Sequence, residues 1–113
     1  MEKANYNIAL HKTADNLDKN TITGYVFTAA GVRFGVSNID RFGEKDCKWT
    51  ITELTTGYRV IDGKSRKDAI TNLLKTPHDK WEAMRKVIAK CVVNLNESII
   101  PVDTFYSVYP TAG

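Results

Sequence analysis

Residues from which catalytic centres are built are scarce in this chain of 113 residues, which holds two histidines and two cysteines. Nucleophilic catalysis needs a nucleophile with a base beside it, and neither His11 nor His78 lies in such a context. Cys47 and Cys91 are far apart and share no metal-ligand spacing, so each reads as a small buried hydrophobe. His78 and Glu82, four apart, make at most half a metal site, and ordinary first-turn electrostatics accounts for Glu82 and Asp79. The 13 acidic residues are scattered, with no close pair set in apolar sequence as general acid–base chemistry requires. Neither GxGxxG nor GxxxxGKS/T occurs. These absences disfavour an enzyme and leave no cofactor and no metal to expect.

Long apolar runs are missing as well. Nothing approaches the roughly 18–20 residues that span a bilayer, and MEKANYNIAL lacks the apolar centre of a secretory signal. A cytoplasmic protein with no membrane partner is therefore expected. The 42% hydrophobic and 26% charged fractions are those of a globular chain, and the length suits one domain. A net charge of +3 permits a nucleic-acid partner without requiring one.

Residues 1–20 are polar, rich in Asn and Asp, and read as an N-terminal arm ahead of a single domain over 21–113. From Thr21 the pattern alternates. TITGYVFTAAGVRFGVS predicts a hairpin with Gly31 at its turn, and CKWTITELTTGYRVID predicts a second, turning at Thr56-Gly57. The polar stretch NIDRFGEKD between them is a candidate binding loop, with Arg41 and Lys45 its cations. Ser65 then caps a helix with the stripe Ala69, Ile70, Leu73 and Leu74. Thr76 and Pro77 open a second helix whose apolar face runs from Trp81 through Met84, Ile88, Cys91 and Val92 to Leu95. The tail SIIPVDTFYSVYP is extended, and Pro101 confines it to an edge strand or an ordered arm. The predicted class is α+β: an antiparallel meander of three or four strands, then two helices on one face, then an extended segment.

Two regions could bind a partner. Around the strand-to-helix junction, Arg59, Lys64, Ser65, Arg66 and Lys67 could hold phosphate at a helix N-terminus, or merely solvate a corner whose field Asp62 and Asp68 dilute. In the tail, Phe105 and Tyr109 share one face of any strand and could stack on nucleic acid, anchor a protein interface or complete the core.

WTITELTTGYRVIDGKSRKDAI, residues 49–70, resembles the strand–turn–strand–helix segment of many short proteins of phages and other mobile elements. Anti-CRISPR and other anti-defence inhibitors are common in that group. The resemblance implies a non-enzymatic protein that occupies the surface of a bacterial defence protein or nucleoprotein complex. The mild basicity is unlike that of inhibitors that mimic DNA, which are strongly acidic. The other expectation is a small nucleic-acid-binding domain that uses the basic corner. Monomer and dimer both satisfy the pattern.

Overall fold

The structure, a computed structural model, describes residues 1–9, 19–40, 44–90, 95–97 and 99–101. Its elements run β1 (Glu2–Ala9), β2 (Lys19–Ala29), β3 (Val32–Ile39), β4 (Lys45–Glu53), β5 (Arg59–Gly63), α1 (Arg66–Leu74), α2 (His78–Ala89) and β6 (Ile100–Pro101). The sheet order is β5-β4-β3-β2-β1-β6, every pair antiparallel. The α+β class and the order of strands before helices are as the sequence predicts. The meander is five strands long rather than three or four. Pro101 lies in the edge strand β6, where its missing N–H does no harm.

The additional strand is β1, which corrects the reading of residues 1–20 as an arm; residues 10–18 lie outside the described part. Ala4, Tyr6 and Ile8 alternate with Asn5 and Asn7, a strand pattern whose polar members accept from threonines of β2. Thr23 Oγ1 donates to Asn5 Oδ1 at 2.7 Å, and Thr21 Oγ1 donates to Asn7 Oδ1 at 2.6 Å. The outer edge of β1 is closed by three devices. Asn5 pairs with Ile100 of β6. The Asn7 N–H donates to Asn96 Oδ1 at 2.6 Å, while Asn96 Nδ2 donates to the carbonyls of Asn7 at 3.0 Å and Leu54 at 2.8 Å. Finally, the Ala9 N–H donates to the Gly57 carbonyl at 2.9 Å. The sheet is thus curled until the end of β1 meets the β4–β5 turn, and no row of bare donors is left on β1 to recruit another chain.

One face of the sheet carries the helices. Tyr25 and Phe27, Phe34 and Val36, and Trp49 and Ile51 project there, since Tyr25 pairs with Val36 and Val36 with Ile51. Val32, Phe34, Val36 and Ile51 bury against Ala69 and Leu73 of α1 and Trp81 of α2. The Phe34 ring stacks on Phe27 at 5.7 Å and meets the edge of Trp81 at 5.8 Å. On the curled opposite face Tyr6, Ile22 and Leu54 form a second cluster with Ile8, Val26, Ile39 and Ile99 beside it.

Connections follow backbone chemistry. Ala30 (φ 51°) and Gly31 (φ 76°) are both left-handed in the two-residue loop between Ala29 and Val32, the geometry a twisted hairpin favours. Between β4 and β5 the buried Glu53 carboxylate accepts from Thr55 N–H (2.7 Å), Thr56 N–H (2.8 Å) and Thr56 Oγ1 (2.7 Å), and Gly57 takes φ 74°. The second helix departs from expectation at both ends. Pro77 is its extended N-cap rather than its first helical residue, and it stops at Ala89. Cys91 and Val92 lie outside the described residues, and Leu95 sits in a turn with its N–H on the Thr55 carbonyl. Leu74, read as part of the apolar stripe of α1, is exposed.

Tyr6 reaches from β1 across β2 to β3 over two glycines. A Cβ at Gly35 would lie 2.4 Å from Tyr6 Cζ, and one at Gly24 would lie 2.7 Å from the Tyr6 hydroxyl. Gly35→Ala should therefore cost about 1–3 kcal/mol in urea unfolding, as overpacking does. In a Tyr6→Ala background most of that cost should vanish; equal costs in both backgrounds would contradict the packing. Burial also pushes the Tyr6 phenol above its ordinary pKa of 10.0, against a smaller opposing pull from the Ser37 hydroxyl. The folded state then holds this proton more tightly than the unfolded chain, so its contribution is complete below pH 10 and falls as pH rises beyond it. Comparing unfolding free energies of the wild type and Tyr6→Phe below and above pH 10 should show a steeper alkaline loss in the wild type.

Candidate functional site

The basic corner is built as a self-contained cap. Ser65 Oγ accepts from the Asp68 N–H at 3.0 Å, and Asp68 Oδ2 accepts from the Lys64 N–H at 2.9 Å, one residue before the donor a capping box normally uses. The chain's own side chains thus take up two backbone donors at this helix start, those of Asp68 and Lys64. Gly63 lets α1 pass close over β5, since a Cβ there would lie 2.3 Å from the Ala69 nitrogen.

The cations of the corner do not act as one cluster. Arg59 projects to the curled face, where it pairs with Asp62 at 3.5 Å. Arg66 turns instead toward the helix-bearing face, its guanidinium 4.4 Å over the Tyr25 ring. Lys64 and Lys67 are exposed beside it. Lys45 opens β4 and pairs with Ile39, so the β3–β4 connection is residues 40–44, shorter than predicted and tied by Asp40 and Glu44. Arg41, Phe105 and Tyr109 lie outside the described residues, as does His11.

Sequence reading missed how unevenly charge is divided between the layers. Residues 64–90 hold eight Lys and Arg against three Asp and Glu, a surplus of five, so the rest of the chain carries a net charge of −2 within the total of +3. All eight cations, Lys64, Arg66, Lys67, Lys75, Lys80, Arg85, Lys86 and Lys90, are exposed. Of the three acids, Asp68 serves the cap and Glu82 is 3.1 Å from His78. The six lysines form no ion pair among the described residues. Arg85 donates to the Ala30 carbonyl at 2.8 Å, tying α2 to the first hairpin.

Beside this layer lies a recess of about 170 Å³ lined by Lys3, Thr23, Tyr25, Asn38 and Trp49, with Tyr25 and Trp49 only half-buried. Larger clefts open on the curled face. One of about 400 Å³ has Ile8, Ile22 and Ile39 within it and Asp40, Asp46, Lys48 and Arg59 around it. Another, of about 340 Å³, lies among Ala4, Val26, Thr28, Arg33 and Leu54. Asp46 is held below the usual carboxylate range by the Lys48 backbone N–H, and further by the Cys47 thiol. Cys47 is exposed, not the buried hydrophobe expected, because the first residues of β4 run beyond the helices' cover. His78 lines none of these clefts, and no group of three potential metal ligands occurs among the described residues. Among the same residues no helix is long and apolar enough to cross a membrane.

No protein-family model, curated protein or solved structure matches this chain. The cap makes a first check available: Ser65→Ala should lower unfolding free energy by about 0.5–2 kcal/mol. A loss well below that range in urea titration would show that the Ser65 hydroxyl does not hold the helix start.

Proposed function

We propose that this protein acts by binding rather than by turnover, and that its helix layer holds the phosphate backbone of nucleic acid, free or within a nucleoprotein complex. The observation that carries the reading is the surplus of five positive charges on residues 64–90, with six exposed lysines unpaired among the described residues. Spread over two helices, such charge suits a partner that is itself an extended array of anions. Binding gains free energy from the counterions such a partner releases. The three acids of the layer, Asp68, Asp79 and Glu82, are already subtracted in that surplus.

A second reading, an inhibitor that occupies the surface of a bacterial defence protein, matches the phage-protein resemblance of residues 49–70. It draws on Val87 and Leu74, exposed at 53% and 63% among the same lysines. Protein interfaces are depleted in lysine, however, and the lysine density here favours phosphate.

Fluorescence anisotropy with a labelled oligonucleotide at two salt concentrations tests the first reading. Affinity should fall steeply with salt. Lys86→Glu/Lys90→Glu and Lys64→Glu/Lys67→Glu should each weaken binding on the order of tenfold or more while leaving the unfolding midpoint nearly unchanged. Salt-independent binding, or wild-type affinity in both variants, would count against it.

A further inference from the structure

Building on the phosphate-binding reading, we infer that the recess between Tyr25 and Trp49 receives an unpaired nucleobase, so that the nucleic acid held by the helix layer is single-stranded. The two rings come from different hairpins but share a face, since Tyr25 pairs with Val36 and Val36 with Ile51, two residues beyond Trp49. Lys3 pairs with Tyr25 across β1 and β2 and places an exposed ammonium on the same side. Arg66 links the recess to the helix layer, because its guanidinium lies 4.4 Å over the Tyr25 ring while its backbone begins α1. A recess lined by two aromatic side chains with cations on two sides matches a nucleotide chain: bases stack on aromatic and guanidinium planes, and phosphates on either side would meet Lys3 and the corner lysines.

Size and charge narrow the occupant. At about 170 Å³ the recess is well below the roughly 300–1,000 Å³ that encloses a drug-sized ligand, so it fits one ring system of something longer. The neighbouring charge is positive, which suits a polyanion. Duplex bases are stacked on each other and cannot enter such a recess without being unstacked, whereas a single strand offers them freely. The polar lining adds little base selectivity: Thr23 Oγ1 already donates to Asn5 Oδ1, leaving Asn38 to meet base edges.

The test compares a labelled single-stranded oligodeoxynucleotide with the duplex of the same sequence, at one salt concentration, on the full chain. The wild type should prefer the single strand. Trp49→Leu and Tyr25→Leu should weaken single-strand binding by roughly five- to 100-fold, the range expected for loss of one stacked base, with little effect on duplex. Trp49→Phe, which keeps a ring, should retain most of the affinity. Lys3 is exposed, and Lys3→Glu should erode the single-strand preference even if the leucine variants fail to fold. Equal affinity of the wild type for both forms, or Lys3→Glu and a folded Trp49→Leu both binding single strand as the wild type does, would overturn the base site and leave the basic layer standing. Absence of nucleic-acid binding altogether would remove both.

Discussion

The packing of the Tyr6 side chain of β1 across the sheet depends on two positions that carry no side chain. The Tyr6 ring lies where a Cβ at residue 35 would be, and its hydroxyl stands 2.7 Å from where one at residue 24 would be, a place the Val36 carbonyl already crowds at 2.5 Å. That packing buries a large ring at the centre of the curled face and fixes the register of the first strand. With the register fixed, Asn7 and Ala9 arrive opposite Asn96 and Gly57, and the edge of β1 closes against the β4–β5 turn. Glu53 completes the arrangement by holding that turn from within.

The two faces of the sheet have consequently different characters. On the curled face Tyr6 fills the middle and leaves a cleft to either side, each with charges of both signs nearby. Mixed charge in open clefts neutralises itself and gives no long-range attraction. On the other face the core is finished by Ala69, Leu73 and Trp81, and what remains outside is a layer of one dominant sign. Stability is thus concentrated in the sheet and beneath the helices, while the exposed cations are free of structural duty except for Arg85 and Arg66.

How much of this was legible in the sequence depends on how local each signal is. The hairpin turning at Gly31 and the helix capped by Ser65 could be read because their determinants lie within a few residues. Strand β1 was misread because Asn5 and Asn7 look like loop formers, and their partners Asn96 and Thr23 are remote in the chain. The early end of α2 was missed because apolar spacing continued past Ala89 with no glycine or proline to stop it. As for the binding surface, the corner cations were visible, but Tyr25 and Trp49 read simply as strand residues. That Arg66 covers Tyr25, or that Lys3 stands opposite it, follows from strand pairing and helix placement, which no single stretch encodes.

The capped corner bears on the kind of recognition proposed for this surface. A helix start with open N–H groups binds an anion at one point and in one geometry. Here Ser65 and Asp68 already engage two of the backbone donors at that point, those of Asp68 and Lys64, so the recognition proposed for Lys64, Arg66 and Lys67 draws chiefly on their side chains. Flexible lysines on an extended layer attract phosphate with little regard to sequence, and their contribution declines as salt rises. The stacking proposed for the recess between Tyr25 and Trp49 would have no such dependence, because it would rest on planar contact rather than on released ions. Recognition divided in this way would keep a salt-resistant component that charge alone cannot supply, and that component would come from the sheet, the part of the molecule whose geometry is most firmly held.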